Sequence, residues 1–387
     1  MRTLAVDALR MVGHRTAMGR HAEYLAAEWS RMRIPFDRVV LMAPQPLNLP
    51  PLGTTTEIVT ETFGQRLPLV AWEQAALPRR ARRLSILFCP SYIAPLVGRV
   101  PTVVANHGIY ERIPDEFSRS QRFRSTTLHR LSARRADRTI VNSLNTRMDV
   151  VEFFNISPDR IDVVYPAANE IFFRDHTPEA IDAEVERVLG QRTPYFLFVG
   201  KLSHRRHVPE LIEAFARLRA SGNVGHRLLI VGPNATGIDV NELARTHAVS
   251  DAVRYVPHLE PSSLALLYAG ADAFVLPTTY EGISHTMFEA MASGTAVLTV
   301  EHPTLAEGAG DTALALSAPT VELLCDGMRT LATDSMLREK LADRGRERAR
   351  KFSWSTAARE TVAILDSVAR RVDHGSRVRG GKGAHRG

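Results

Sequence analysis

The chain is 387 residues long, 44% hydrophobic and 24% charged, a makeup that excludes a mainly disordered protein and suggests about two or three domains. It has no apolar run of about 18 residues, and its opening MRTLAVDALRMVGHR lacks the apolar stretch and small-residue cleavage site of a signal peptide, so a cytoplasmic chain that neither spans a membrane nor is exported is expected. The net charge of +7 is divided, with +7 over residues 1–170, −5 over 171–369 and +5 over 370–387, which gives the halves different electrostatic characters.

In chain order, short apolar runs at Thr3–Val6, Arg38–Met42, Ile86–Cys89, Thr102–Ala105 and Arg138–Val141 predict strands. Stretches such as 19–31, where apolar and polar residues sort at a period of about 3.6, predict helices between them. The second half repeats the alternation with clearer strands at Tyr195–Gly200, His226–Gly232, Ala252–Val256, Ala273–Pro277 and Thr295–Thr299. Such alternation is the pattern of α/β domains with parallel sheets. The turn-like VVYPAANEIFF and the charged, helix-forming DHTPEAIDAEVERVLG mark the boundary. A first Rossmann-like domain is expected over 1–175 and a second over 176–369, its last helix packing back on the first; the glycine-rich, basic 370–387 is expected to be disordered. Cys89 and Cys325 make no CxxC and no zinc spacing and lie beside apolar residues, so they read as inert core thiols.

The segment LPTTYEGISHTMFEAMASGTAVLT carries the most chemistry. A strand ending at Pro277 feeds a loop, then a helix from about Thr286, then a strand after Gly294. Glu281 falls on the loop at the carboxyl end of a strand, where parallel sheets bind ligands, and Glu289 in the first turn of the next helix. A helix N-terminus offers free N–H groups to a phosphate, and two carboxylates can accept hydrogen bonds from sugar hydroxyls, a combination suited to a sugar nucleotide. Taken alone, Thr286-x-x-Glu289 also reads as a capping box, and Glu281 as a solvated loop acid.

Glu281-Gly282 followed at this spacing by Glu289-Ala290-Met291-Ala292-Ser293-Gly294 resembles the EGxxxxxxEAMAxG signature of retaining glycosyltransferase family 4. FVGKLSHRRHVPELIEAF, 198–215, resembles the same family's strand-loop-helix with two basic residues for the donor diphosphate, here Lys201 and Arg206 after Gly200. The resemblance continues in the family's order through HRTAMGRHAEYL with Gly19 and Arg20, FCPSYIAPL, ANHGIYERIPDEFS with His107, VNSLNTRMDV and VVYPAANEIF. Where the family usually shows TGIGR, His-Asp and a second glycine, this chain has Thr16-Ala17-Met18-Gly19-Arg20, His107-Gly108 and Ser284. These departures bear on the sugar and the acceptor.

The resemblance implies the GT-B fold, two facing Rossmann-like domains with an interdomain cleft, and a retaining transfer of a hexosyl-type sugar from a nucleotide-diphosphate sugar to a hydroxyl acceptor. Lys201 and Arg206 would stabilise charge on the leaving diphosphate. Glu289 would hold the ribose hydroxyls, and Glu281, beside the backbone of Gly282, Ile283, Ser284 and His285, the donor sugar. Val256 and Pro257 would rest against the nucleobase, His107 would line the reacting face, and Gly19 and Arg20 the acceptor loop. Apart from the family, His107 reads as a histidine hydrogen-bonded at a strand end. No cofactor and no metal are implied, and no Asp-x-Asp occurs. Cell-envelope polysaccharide or glycolipid assembly is the first acceptor reading, with glycosylation of a small natural product, such as an antibiotic, as the alternative. Another class is a non-catalytic GT-B binding module. A nucleic-acid partner is not expected, because the Arg79–Arg83 cluster has no aromatic interleaving. That cluster, with Arg119, Arg122 and Arg124, could instead rest peripherally on the anionic inner face of a membrane.

Overall fold

The computed structural model describes residues 1–13, 17–113, 116–222, 224–234 and 236–381, with side chains as far as Arg371. His14 and Thr16 of the first glycine-bearing loop, and the last residues of the basic tail, lie outside these. The chain divides into two compact units. The first takes Met1–Glu111, Ser118–Pro166 and the chain from Trp354 onward; the second takes Arg112–Phe117 and Ala167–Ser353. The change at Ala167 precedes the boundary placed at 175, because the strand-poor run after Pro166 packs with the second unit: Phe172 sits edge-on to Tyr268, with ring centroids 5.8 Å apart.

In the first unit seven strands form one sheet: β1 (Thr3–Asp7), β2 (Arg38–Ala43), β3 (Glu57–Thr62), β4 (Ile86–Cys89), β5 (Thr102–Asn106), β6 (Arg138–Val141) and β7 (Ile161–Val163). Their order is β3-β2-β1-β4-β5-β6-β7 and every pairing is parallel, with Leu4 set between Val39 and Ile86. Helices cover both faces of such a sheet, so β1 and β4 are continuous buried runs with no polar face. The helix Ala17–Arg31 buries Ala22, Leu25, Ala26 and Trp29 at helical spacing.

The second unit holds β8 (Tyr195–Val199), β9 (Arg227–Val231), β10 (Val253–Val256), β11 (Ala273–Leu276), β12 (Val297–Val300) and β13 (Ala313–Leu316), ordered β10-β9-β8-β11-β12-β13 and again all parallel. Its core joins Phe196, Phe198, Leu211, Phe215, Leu228, Ile230, Val275, Leu298 and Met328. In both sheets the strand order reverses once, beside β1 and β4 in the first and beside β8 and β11 in the second. That is the doubly wound Rossmann order, which leaves a ligand crevice outside the carboxyl ends of the central strands.

The last helix runs Trp354–Gly381, past residue 370, where a disordered tail was expected. Ala357, Ala358, Val362, Leu365 and Val368 are buried along one stripe. The Trp29 indole N–H donates to the Ala358 carbonyl at 3.0 Å, and Arg2 pairs with Asp366 at 2.6 Å. With the helix nucleated by this docking and no proline in 370–381, propagation adds one hydrogen bond per residue and carries it onward.

Candidate functional site

At the carboxyl end of β8 the backbone is crowded. A Cβ on Gly200, whose φ is +155°, would lie 1.7 Å from Arg206 Nη1, and one on Gly232, φ +143°, would lie 2.1 Å from the Gly200 carbonyl oxygen. Only glycine leaves room for the Arg206 guanidinium to lie against the strand end. The chain then passes through Lys201, a short turn His204–Arg206, and His207 at φ +46°, before the helix Val208–Ala220 buries Leu211, Ile212, Phe215 and Leu218.

Beside it, the loop leaving β11 delivers Glu281. Arg205 Nη1 donates to Glu281 Oε1 at 2.7 Å, to the Tyr280 carbonyl at 2.7 Å and to Thr278 Oγ1 at 3.1 Å. Arg206 donates to the same Glu281 oxygen from Nη2 at 2.9 Å and Nε at 3.2 Å, and its Nη1 reaches the Lys201 carbonyl at 3.3 Å. The Thr279 amide closes the two loops onto each other by donating to the Arg205 carbonyl at 3.0 Å. Arg205 also lies 3.6 Å from Glu116. Glu281 is 3% exposed, and burial alone would push its carboxyl up. The Arg205 and Arg206 charges and hydrogen bonds more than offset that and hold it below the usual range, so it is a buried carboxylate rather than a solvated loop acid.

The helix after Glu281 runs His285–Ala292, and its cap is Ser284, whose hydroxyl accepts from the Met287 amide at 3.1 Å. The capping box that Thr286-x-x-Glu289 suggests when read alone is therefore absent. Ser284 caps two residues before Thr286, and Glu289 moves from the first turn into the second. There it is 6% exposed, and its Oε2 accepts from the Tyr268 hydroxyl at 3.3 Å.

Gly200, Arg206, Glu281, Gly282, Ile283 and Ser284 thus meet where the second sheet's order reverses, with Lys201 exposed at the rim and His285 half-buried at the helix start. Val256 and Pro257 stand apart from that point, at the carboxyl end of the edge strand β10. Arg205 is the residue that the sequence reading passed over, since His204-Arg205-Arg206-His207 reads as a variable loop. The signal available was the adjacent arginine pair opposite a single acid.

In the first unit His107 is buried at the end of β5, its Nε2 2.7 Å from the Pro90 carbonyl oxygen; burial lowers its pKa, which keeps the ring neutral. That is the strand-end arrangement the residue suggests on its own. Gly19 is in the first turn of the helix Ala17–Arg31, where a Cβ would come 2.1 Å from the Arg10 carbonyl oxygen, and Arg20 beside it is half-buried. A further pair of acids was not foreseen. Asp7, at the end of β1, and Glu73, in a π turn at Trp72–Ala76, are both buried; desolvation pushes Asp7 up to about 6 and, with Asp7 nearby, Glu73 up to about 7. Cys89 is a buried free thiol whose pKa burial pushes up, which leaves it unreactive, and Cys325 is likewise free and buried.

Residues 178–348 match the model of glycosyl transferases group 1, and residues 18–170 that of glycosyltransferase family 4. The D-inositol 3-phosphate glycosyltransferase of Corynebacterium glutamicum is 30% identical over 244 residues, covering 60% of this chain and 58% of the relative. The Escherichia coli O-antigen chain mannosyltransferase B is 25% identical over 218 residues, covering 56% and 57%. The matched region is thus less than two thirds of these relatives' length. Among solved structures, Anabaena HepE in complex with UDP and glucose superposes with a TM-score of 0.72 at 18% identity, over 95% of this chain and all of that one. WaaG, a glycosyltransferase involved in lipopolysaccharide biosynthesis, superposes at 0.73 and 17%, over 94% and 99%. At these identities the likeness is one of fold.

Proposed function

We propose that this chain, which belongs to the GT-B glycosyltransferases, transfers a hexosyl-type sugar from a nucleotide-diphosphate sugar to a hydroxyl acceptor with retention at the anomeric carbon. The observation that carries the reading is the gathering of Lys201, Arg206 and Glu281 at the reversal point of the second sheet, where Rossmann sheets bind nucleotides. The bond from the anomeric carbon to the diphosphate breaks, the acceptor oxygen bonds to that carbon on the same face, and the leaving phosphate oxygen takes the acceptor's proton. Lys201 and Arg206 then face the charge that grows on the diphosphate, and cations aimed there stabilise the transition state more than the ground state. With these counter-charges the reading needs no metal.

Glu281 Oε1 accepts from two guanidiniums, so in this reading Glu281 aims Arg206 and lies beside the donor sugar. Glu289 holds the ribose, Val256 and Pro257 flank the base, and His107, Gly19 and Arg20 serve the acceptor. Relatives named for D-inositol 3-phosphate and for an O-antigen chain support an envelope glycan or glycolipid acceptor, with a small molecule as the alternative. Peripheral contact with an anionic membrane belongs to the same reading. The helix Arg119–Arg135 carries six arginines and no acid, and it exposes Phe123 and Leu131.

Turnover with a panel of UDP-, GDP- and dTDP-sugars tests the reading. Lys201→Ala and Arg206→Ala should each lower turnover at least about tenfold, since charge-assisted contacts to phosphate contribute roughly 1.5–3 kcal/mol. Glu289→Gln should weaken binding of the free nucleotide diphosphate as well. Wild-type turnover in both cation variants would remove the diphosphate assignment.

A further inference from the structure

In the first unit, the helical stretch leading into β4 and the loop leading into β5 enclose an open concavity of about 460 Å³ lined by Arg79, Arg82, Arg83 and Arg99, with Pro78 and Val97 among its apolar walls. The arginines come from two segments of chain, so the cluster is a product of folding and not only of the RRARR run. The segments are pinned together. The Gln74 side chain accepts from the Leu96 amide at 2.9 Å and donates to the Ala94 carbonyl at 3.3 Å, and Arg135 donates to the Gly98 carbonyl. Gly98, at φ +115°, sits so close that a Cβ there would touch Pro78 at 3.4 Å.

Among the described residues, none of these four guanidiniums has a carboxylate or a hydrogen-bond partner. Several exposed arginines elsewhere do hold acids: Arg80 with Glu61, Arg187 with Glu184, Arg217 with Glu213 and Glu322, Arg344 with Asp311. Four like charges gathered without a counter-charge repel one another, and a multivalent anion relieves that repulsion. The planar guanidinium fork matches phosphate oxygens two at a time. The position is telling as well. Arg82 and Arg83 precede β4 and Arg99 precedes β5, so the concavity lies at the amino ends of these strands, on the rim opposite the carboxyl ends that carry Asp7 and His107.

We propose that this concavity binds a phosphate-bearing ligand of at least two negative charges, at a site separate from the sugar-nucleotide site of the second unit. The ligand is either a free phosphate compound or the headgroup of an anionic lipid, and one experiment separates them. Inorganic pyrophosphate is the free probe, and phosphatidylglycerol vesicles are the lipid probe. Both are measured on the full chain carrying Lys201→Ala and Arg206→Ala, which removes the donor-site cations. Binding is compared before and after adding Arg79→Gln, Arg82→Gln, Arg83→Gln and Arg99→Gln, with Arg31→Gln, Arg33→Gln and Arg66→Gln, exposed residues to which no binding role is assigned, as a control that takes charge from the same unit. The four concavity substitutions should weaken at least one probe by about tenfold or more, while the control changes that probe by less than about threefold. Loss confined to pyrophosphate identifies a free ligand, and loss confined to vesicles a headgroup. Because all four residues are exposed, single Arg82→Gln and Arg99→Gln chains provide a folded check, each expected to show part of the loss. Unchanged binding of both probes, or equal loss in the control, overturns the proposal.

Discussion

Glu281 and Glu73 are both buried acids, yet their chemistry points in opposite directions. Glu281 meets two guanidiniums and stays ionised; Glu73 has Asp7 nearby, its Oε1 has no hydrogen-bond partner, and desolvation raises it to about 7. The consequence for stability follows from linkage. In the unfolded chain Asp7 and Glu73 ionise near 3.8 and 4.5, whereas in the fold they hold their protons to about 6 and 7. The unfolded form therefore releases protons first as pH rises, so the stability these two groups allow falls from about pH 4 to about pH 7 and stays lowered above it. Glu73→Gln keeps the shape without the charge, so it should melt higher than wild type at pH 8 and level with it at pH 4. A shift of equal size at both pH values would show that the buried charge is not the cause. Glu281 has the opposite sign: its contribution is present above about 4.5 and is lost as pH falls below its depressed folded value.

Among the elements, the helix His285–Ala292 shows how one residue decides a site. Ser284 takes the cap, so Glu289 falls in the second turn, inside the core and against Tyr268. Ser284→Ala should cost about 1 kcal/mol, the usual worth of such a cap, and lower the unit's melting temperature by roughly 2–4 °C. Thr286→Ala should cost less, and the reverse ranking in thermal melts would restore the capping box. The strands show where patterning is informative. β1, β4, β8 and β11 are fully buried and read as apolar runs, as covered parallel strands must. Three of the four edge strands, β3, β7 and β13, lie outside the predicted strands: EIVTET in β3 mixes exposed and half-buried positions, β7 is three residues long, and ALAL in β13, though apolar, is only partly covered. An edge strand has one neighbour and partial cover, so its sequence carries only part of the signal.

At the scale of the whole molecule, the first unit is completed by the chain's own far end. Val362, Leu365 and Val368 are buried, and each such side chain contributes roughly 1.5–3 kcal/mol when fully removed from water. A chain ending at Ser353 should therefore lose the cooperative melting of the first unit while the second keeps its own, and a chain ending at Arg371 should melt as the full chain does. Calorimetry reads both. A first unit that still melts cooperatively when cut at Ser353 would remove the last helix from its core.

By itself the sequence determined the alternation of strands and helices, the presence of two parallel-sheet units, and the residue types in the loops after β8 and β11, because apolar runs, glycines at strand ends and the spacing of Glu281 from Glu289 are local properties. The tertiary structure decided what those residues touch. No local pattern reveals that Arg205, in a loop after β8, shares one carboxylate oxygen with Arg206, because that oxygen arrives on the loop after β11, and only the strand order sets those loops side by side. Nor does one reveal that Asp7 and Glu73 lose their water together, or that arginines before β4 and before β5 line one concavity. Burial and charge pairing depend on which segments meet in space, and that is settled by the packing of the whole sheet.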